Sequence, residues 1–281
     1  MADVKILIAT HKKFVQPKGD CFLPIHVGKE DKEDLGFIGD NTGEQISKKN
    51  NTFCELTGLY WAWKNLDYEV LGLCHYRRYF DLENKKDRIN YVRYITQKEL
   101  ESYTFSTSKV EEYLKKYDVI LPKPKIYETS LEKDYGYCHS VEDFEILTSV
   151  INSAFPDYSK TWQEISYFSN KLTHANMFIA PKKISDVYLD WLFAVLFEVE
   201  KKVKLSPYKY QQRVFGFMAE RLLTLYFTHN RFKIKMLPVL YVKDDDFPYK
   251  TPSKIVTVVS NWYKNFIFFL TSFPRKVKEY S

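Results

Sequence analysis

Hydrophobic runs of strand length alternate with helical segments along this chain of 281 residues. The run Val4–Thr10 comes first, and a second run covers Phe22–Val27. A third, Tyr68–Leu71, follows a helix that begins near Thr52. Parallel neighbours in a sheet need a long crossover between them, which is usually a helix. The order therefore predicts an α/β fold, with a mixed, mostly parallel sheet flanked by helices.

Later segments continue this pattern up to about residue 245. Thr52 and Glu55 have the spacing of a capping box, so we expect Glu55 to cap the helix rather than to catalyse. The polar, tyrosine-rich stretch 125–140 is typical of a long loop. We predict one domain over residues 1–245, with further strands at 118–122, 175–180 and 234–241 and further helices near 110–116, 141–154, 185–201 and 211–227.

Composition excludes some classes of protein and leaves others open. A hydrophobic content of 45% and an aromatic content of 17% are too high for a disordered chain. The net charge of +6 fits a nucleotide-binding enzyme, a protein of anionic membrane surfaces or a nucleic-acid binder. Lysines are spread along the whole chain and nucleic-acid motifs are missing, so we expect no nucleic-acid partner. The N-terminus lacks the features of a signal peptide, which predicts a cytoplasmic protein.

The segment Gly72–Phe80 carries the most distinctive chemistry. It places His75, Arg77 and Arg78 directly after a hydrophobic run. In open α/β sheets ligands bind at the carboxyl ends of strands, and the planar arginine fork suits phosphate. Strand alternation predicts that His75 and Arg77 face the ligand and that Arg78 braces a loop carboxylate. Internal salt bridges for both arginines remain the alternative.

The tail, residues 246–281, differs from the rest of the chain. Apolar and aromatic residues recur on one helical face, and basic residues punctuate or flank them. Such a helix suits the interface of an anionic membrane. Packing of the same helix on the core of the domain is the alternative. The apolar face consists of Ile255, Val258, Val259, Trp262, Phe266, Phe269, Leu270 and Phe273, and the basic residues are Lys254, Lys264, Arg275, Lys276 and Lys278.

Several ordered stretches together resemble one bacterial family, a former domain-of-unknown-function family among the glycosyltransferases of capsular and exopolysaccharide biosynthesis. The resemblance covers most of residues 4–243. It is carried by Ala9–Phe14, Ile25–Gly28, Gly39–Gly43, Ile46–Asn50, Cys54–Thr57, Tyr60–Asn65, Gly72–Phe80, Asn176–Phe178 and Gly216–Leu222.

This resemblance implies a sugar transferase with a GT-A-like nucleotide-sugar-binding fold. Members resemble galactofuranosyl or galactosyl transferases that use UDP-sugars. We therefore expect a hexose to move from a UDP-sugar donor to a lipid-linked glycan at the inner face of the cell membrane, with the tail holding the protein on that surface. A non-catalytic nucleotide- or glycan-binding module of a polysaccharide assembly complex is the alternative.

The chemistry requires charge neutralisation at the leaving pyrophosphate and a base for the acceptor hydroxyl. Many enzymes of this fold hold a metal with an Asp-x-Asp motif, but His-Tyr-Arg-Arg stands where that motif is expected. The acidic cluster Asp244–Asp246 lies in a late loop. We therefore predict that His75 and Arg77 replace the metal and that no cofactor is needed, although Mn²⁺ or Mg²⁺ is not excluded. Glu220, in an otherwise apolar helix, is either an ion-pair partner or the base, and Asp40 is the second candidate base.

The remaining candidates are substrate-binding residues at element ends and in loops. Thr10 and His11 end the first strand, where a uridine would sit, although simple loop polarity explains them equally well. Asn41 and Asn50, with Asp40, have the side chains to bond ribose or uracil, or to form turns. On the acceptor side we place His139, His174 and Asn176, and Arg78 completes the set.

Overall fold

A mixed sheet of ten strands forms the centre of the computed structural model, which describes residues 2–30, 32–83, 89–243 and 250–272. Two short two-stranded ribbons accompany it. The strands are β1 (Val4–Thr10), β2 (Lys18–Gly19), β3 (Phe22–His26), β4 (Ile38–Gly39), β5 (Val70–His75), β6 (Arg78–Phe80), β7 (Val92–Ile95), β8 (Thr104–Phe105), β9 (Val119–Pro122), β10 (Lys125–Ile126), β11 (Lys171–Leu172), β12 (Phe178–Pro181), β13 (Ile234–Leu237) and β14 (Val239–Val242).

Helices cover the sheet, most of them on one side. They are α1 (Asn50–Phe53), α2 (Leu56–Asn65), α3 (Gln97–Glu101), α4 (Thr107–Leu114), α5 (Leu131–Cys138), α6 (Val141–Ala154), α7 (Ser159–Phe168), α8 (Lys182–Glu200), α9 (Val214–His229) and α10 (Lys254–Ser272). The predicted fold class, a mixed α/β sheet flanked by helices, is confirmed.

The strand β1 sits near the middle of the sheet because both of its faces are apolar. Leu7 and Ala9 join the larger core, which α2, α6, α8 and α9 complete, whereas Ile6 and Ile8 join the smaller core on the other face. A strand buried on both faces reads as a continuous apolar run rather than an alternating one. This explains why the first strand is easy to predict from the sequence.

Parallel pairing brings three strand ends to one edge of the sheet. The strand β1 pairs in parallel with β3 and with β5, with Ala9 aligned to both Ile25 and His75. The side chains that follow these strands therefore meet at the same edge. Beyond β5 the sheet becomes mixed, because β12 pairs antiparallel with both β5 and β9.

The chain reverses at the end of β5, which the sequence did not predict. Tyr76 and Arg77 form a two-residue turn, and β6 then pairs antiparallel with β5, with His75 opposite Arg78. This β5–β6 hairpin continues the sheet towards β14 and β7. The expectation that strand alternation separates His75 and Arg77 from Arg78 is therefore wrong.

Three further local expectations are corrected. The capping box at Thr52 does not form: α1 ends at Phe53, Cys54 has a φ of 52°, and α2 begins at Leu56 without a side-chain cap. The Thr52 hydroxyl donates instead to the Lys49 carbonyl. The stretch 125–140, expected as a loop, contains β10 and α5, and the run 234–241 divides at Pro238 into β13 and β14.

The tail helix α10 touches the domain through few side chains. Only Thr257 is buried within it, and this hydroxyl bonds the Asn90 side chain. Farther along, Asn265 accepts a hydrogen bond of 2.9 Å from Asn170. Most of its large apolar residues are exposed, Trp262 at 65% and Phe269 at 58% among them. Over the described residues, every helix is too short or too polar to cross a membrane.

Candidate functional site

A cleft of about 580 Å³ opens at the edge where β1, β3 and β5 end. Polar and charged side chains dominate its walls, and four of them are lysine or arginine. The lining residues are Ala9, His11, Val27, Asn50, Asn51, Cys54, Glu55, His75, Tyr76, Arg77, Arg78, Lys209, Gln212, Arg213 and Tyr241. Five predicted site residues, namely His11, Asn50, His75, Arg77 and Arg78, are thus brought together.

The β5–β6 hairpin delivers two of the four cations. Arg77 lies in the turn, with its guanidinium 5.3 Å from the centre of the Tyr76 ring, and Arg78 lies 5.5 Å from the centre of the Tyr241 ring. Within the described part of the chain, no carboxylate lies within ion-pair distance of Arg78. Arg78 therefore faces the cleft and does not brace a loop carboxylate there.

His75 lies on the first strand of the hairpin in a fixed orientation. Its Nε2 lies 2.7 Å from the carbonyl oxygen of Ala175, which can only accept, so Nε2 carries the proton. Burial, and to a lesser degree the Arg78 charge, lower the pKa of His75 although Glu55 opposes them. The imidazole is therefore neutral near pH ~7, with its lone pair on Nδ1. Neutralisation of an anion at this edge consequently falls to the arginines.

Glu55 supplies the carboxylate of the cleft, and sequence reasoning missed it by assigning it to a helix cap. Its Oε1 accepts a hydrogen bond of 2.8 Å from the Asn176 side chain. Asn176 is only 2% exposed and also donates to the Gly216 carbonyl, at 3.1 Å. Asn176 therefore lies behind the cleft wall, where it holds Glu55 in place.

Unusual backbone conformations cluster around these side chains. Cys54, Ala175 and Asn176 have φ values of 52°, 66° and 51°, in the region that favours glycine. Ala175 accepts the hydrogen bond from His75, and Cys54 directly precedes Glu55. Strained residues of this kind persist where the surroundings hold them, and they concentrate at functional sites.

Glu220 lies outside the cleft lining and is linked to His75 through the backbone of Ala175. Its Oε1 accepts a hydrogen bond of 2.7 Å from the Ala175 amide, and its Oε2 lies 3.5 Å from Nη1 of Arg221. Burial raises the pKa of Glu220, although Arg221 opposes this effect. Ala175 thus joins Glu220 to His75, through its amide on one side and its carbonyl on the other.

The two later histidines lie outside the cleft lining. Nε2 of His174 lies 3.0 Å from the Tyr127 hydroxyl, and burial with nearby cations lowers the pKa of His174 to about 3. His139 stacks on Phe217, with 3.9 Å between the ring centres, and burial lowers its pKa as well. Both rings are neutral.

Asp40 lies in a buried loop junction rather than in the cleft. Its side chain is fully buried and accepts from the Gly28 amide at 2.7 Å and the Lys29 amide at 3.0 Å. The hydroxyls of Ser47 and Thr57 complete the set at 2.5 and 2.6 Å. With four donors around it, this carboxylate organises the loop and has no path to an acceptor hydroxyl.

The other loop candidates divide between the cleft and its support. Asn50 lines the cleft while its amide nitrogen donates to the Cys54 carbonyl at 2.7 Å. Thr10 is buried, and its hydroxyl closes a local turn with Lys12. Asn41 is half-buried beside Gly39 and does not line the cleft. His11 is exposed and meets Tyr76 edge to face, with 5.4 Å between ring centres.

Lys209, Gln212 and Arg213 also line the cleft and were missed from the sequence. They lie between α8 and α9 and do not follow a strand, so the rule that ligands bind at the carboxyl ends of strands could not identify them. Nε of Arg213 donates to Sγ of Cys54 at 3.2 Å. Burial raises the pKa of the Cys54 thiol to about 12, so the sulfur stays protonated and is a poor nucleophile.

Among the described residues, the cleft contains few side chains that could bind a metal ion, and Glu55 is the one carboxylate. Over the part of the chain that the structure describes, no group of three or more His, Cys, Asp or Glu side chains is arranged to hold a metal ion. The acidic cluster Asp244–Asp246 lies outside the described residues. Metal independence stays a prediction.

Three comparisons relate this chain to known proteins. Residues 5–231 match the family described as Domain of unknown function (DUF4422). Among solved structures, the apo structure of the WbbM bifunctional glycosyltransferase is similar, with a TM-score of 0.77 and 26% sequence identity. The similarity covers 89% of this chain but 47% of that one, so the chain spans about half the length of its structural neighbour. Curated proteins gave no significant match.

Proposed function

Because the chain belongs to the DUF4422 family and shares its fold with a bifunctional glycosyltransferase, we propose that it is itself a glycosyltransferase. The observation that carries this proposal is the cleft at the carboxyl ends of β1, β3 and β5, where four cations surround one carboxylate. A transferase that uses a nucleotide sugar must neutralise a departing diphosphate and activate a hydroxyl. The cleft contains groups for both tasks.

The donor in this proposal is a UDP-hexose, with galactofuranose or galactose favoured by the family resemblance. Arg77 and Arg78 from the hairpin, together with Lys209 and Arg213 from the segment before α9, bind the diphosphate in this proposal. Arginine binds phosphate oxygens through paired, charge-assisted hydrogen bonds, and these strengthen as negative charge develops on the leaving group. The arginines thereby take the place that a metal ion occupies in many related enzymes.

The nucleoside end of the donor belongs to the wall formed by His11, Tyr76 and Asn50. The His11 and Tyr76 rings already contact each other, and an aromatic face of this kind can stack on a uracil. His11 is exposed at its surface but partly desolvated by the cleft, which lowers its pKa, and the charges of Lys12, Lys32, Arg213 and Arg77 lower it further. His11 is therefore neutral, and it contributes hydrogen bonds rather than charge.

The acceptor in this proposal is a lipid-linked glycan at the inner face of the cell membrane. The exposed apolar face of α10, including Trp262, Phe266 and Phe269, enters the membrane interface, and Lys254 and Lys264 meet anionic head groups. A polar contact joins this helix to the domain: Asn170 donates to Asn265 and also to the Tyr127 carbonyl. Residues 246–281 would thus form a membrane-binding tail on a catalytic domain that spans 1–245.

The experiment that tests this function is a donor screen with the full-length chain. We expect UDP release and a product of increased mass from UDP-galactose or UDP-galactofuranose with an octyl galactoside acceptor. GDP- and CMP-sugars serve as matched controls and should give neither. Transfer should persist in EDTA, whereas its loss in EDTA and return with Mn²⁺ would overturn the metal-independent mechanism.

The same screen separates catalysis from simple binding. If UDP binds tightly and no donor is turned over with any acceptor, the chain is a non-catalytic binding module of a polysaccharide assembly complex. If neither UDP nor the other nucleotides bind, the proposed site itself is wrong. Isothermal titration with UDP, GDP and CMP distinguishes these outcomes.

A further inference from the structure

Glu55 has no function assigned by the family or by the structural neighbour, and its surroundings single it out. Resting on the transferase function above, we propose that Glu55 is the general base that removes the proton from the acceptor hydroxyl and that Asn176 positions it.

Glu55 lies in the wall of the cleft itself. Among the described residues that line the cleft, Glu55 is the sole carboxylate. It shares the cleft with the four cations proposed to hold the diphosphate. A base must reach the hydroxyl that attacks the anomeric carbon, and that carbon is bonded to the diphosphate. Glu55 is therefore in the same compartment as the bond that breaks.

The hydrogen bonds of Glu55 leave one oxygen available. Oε1 accepts from the Asn176 side chain at 2.8 Å, whereas Oε2 has no hydrogen-bond partner within the described part of the chain. Asn176 is fixed by a second bond to the Gly216 carbonyl and by its position beside Ala175, where both residues have positive φ. One carboxylate oxygen is thus anchored and the other is presented to the cleft, as proton abstraction requires.

The competing carboxylates are engaged elsewhere, and the competing histidine is a weak base. Asp40 is fully buried and accepts from four donors. Glu220 lies outside the cleft lining, with Oε1 on the Ala175 amide and Oε2 between Arg221 and His174. His75 keeps a lone pair on Nδ1, but burial lowers its pKa and therefore makes it a weaker proton acceptor. Glu55 remains as the carboxylate that an acceptor can approach.

The reaction balances with these groups alone. The acceptor oxygen forms a bond to the anomeric carbon of the donor while the bond from that carbon to the diphosphate oxygen breaks. The electron pair of the broken bond leaves with the nucleoside diphosphate, whose charge the arginines neutralise. The hydroxyl proton passes to Oε2 of Glu55. A single displacement of this kind inverts the configuration at the anomeric carbon.

The test compares Glu55→Gln with Glu55→Asp, Asn176→Ala and a surface control, Glu198→Gln, in the full-length chain. For Glu55→Gln we expect kcat to fall about 100-fold or more, since general bases contribute at least that much. UDP affinity should stay within about 2-fold of wild type, because the arginines bind the diphosphate. Glu55→Asp should recover part of kcat, and Glu198→Gln should behave as wild type.

Asn176→Ala provides the second variant, since it keeps the carboxylate and removes its anchor. We expect an intermediate loss of kcat, about 10-fold, together with a shifted acid limb in the pH profile of kcat. In Glu55→Gln that acid limb should disappear. A purely structural role for Glu55 would leave the pH profile unchanged in shape, and that result would overturn the proposal.

Two further outcomes decide against the base. One is a wild-type kcat in Glu55→Gln, or a rise in KM alone, which would make Glu55 a binding residue. The other is retention of anomeric configuration, measured by proton NMR of the product. Wild-type protein that binds UDP but turns over no UDP-sugar would instead refute the transferase function, and the base with it.

Discussion

His75 and Arg78 lie directly opposite each other across the two-residue turn that joins β5 to β6. The hairpin gives one site two different kinds of group, because burial lowers the pKa of His75 and keeps its ring neutral, whereas Arg78 carries a positive charge. The same turn places Arg77 at the tip of the hairpin. The charged guanidinium of Arg78 and the neutral imidazole of His75 therefore line the cleft at neighbouring positions.

Removal of either hairpin arginine should weaken nucleotide binding. We expect Arg77→Met and Arg78→Met each to raise the Kd for UDP by about 10-fold or more, because each loses charge-assisted bonds to the diphosphate. Turnover of a UDP-sugar should fall further, since these bonds strengthen in the transition state. Isothermal titration and steady-state kinetics measure the two effects. Lys202→Met, which removes an exposed charge on another surface, is the control, and equal behaviour of all three variants would refute the assignment.

Acidification should destabilise the protein through its buried histidines. Burial lowers the pKa of His75 and lowers that of His174 to about 3, so both rings are neutral when folded and take up protons on unfolding below about pH 6.5. The free energy of unfolding should therefore fall as the pH falls from 6.5 towards the folded-state values, by about 1.4 kcal/mol per pH unit for each such histidine.

Urea unfolding across this range measures the effect, and His174→Gln isolates one contribution. Glutamine cannot titrate, so the variant should show a shallower dependence of stability on pH. An unchanged slope would mean that His174 is not the source. Glu220 acts in the opposite sense, because its raised pKa favours the protonated folded state, so stability it contributes is lost as the pH rises through that value.

The strained backbone at Ala175 should lower the free energy of unfolding while supporting activity. Its φ of 66° is costly for alanine and easy for glycine, so Ala175→Gly should stabilise the fold by about 1 kcal/mol. We expect kcat to fall in the same variant, because a more flexible residue holds His75 and Glu220 less firmly. The exposed, mid-helix change Ala194→Gly should instead destabilise by about 1 kcal/mol. Chemical denaturation of both variants checks the sign, and a destabilised Ala175→Gly would contradict the role of strain.

The tail helix should bind anionic membranes through its exposed aromatic face. We expect the double change Trp262→Ser and Phe269→Ser, or deletion of residues 253–281, to abolish sedimentation with phosphatidylglycerol vesicles. Transfer to a soluble octyl galactoside should be retained, since both side chains lie outside the cleft lining and are largely exposed, at 65% and 58%. Val187→Ser, an equally exposed apolar position on α8, is the control. Unchanged partitioning of the double variant would remove the membrane role.

Parts of this architecture follow from the sequence because they depend on local patterns. The run Val4–Thr10 is apolar on both faces, and that pattern is typical of a central strand. His75, Arg77 and Arg78 could be selected as site residues because they stand directly after a hydrophobic strand, where ligands bind in open α/β sheets. The family membership rests on ordered stretches of the same kind.

Other parts could not be predicted because they depend on distant contacts or on unusual backbone geometry. Tyr76 and Arg77 form a hairpin turn without the glycine or asparagine that marks such turns, so the reversal left no local signal. Glu55 fits a capping box in spacing, but the positive φ of Cys54 breaks the helix before a box can form. Its partner, Asn176, is 121 residues away in the chain.

The backbone of Ala175 forms hydrogen bonds with two side chains: its amide donates to Glu220 and its carbonyl accepts from His75. These two groups belong to the successive peptide planes on either side of the Ala175 Cα, so a shift of the backbone at Ala175 acts on both side chains. The helix α9 and the β5–β6 hairpin, which are remote in sequence, are in this way mechanically coupled through one small residue. A displacement of the Glu220 carboxylate should therefore change the tilt of the His75 ring, and the reverse, before the surrounding strands move.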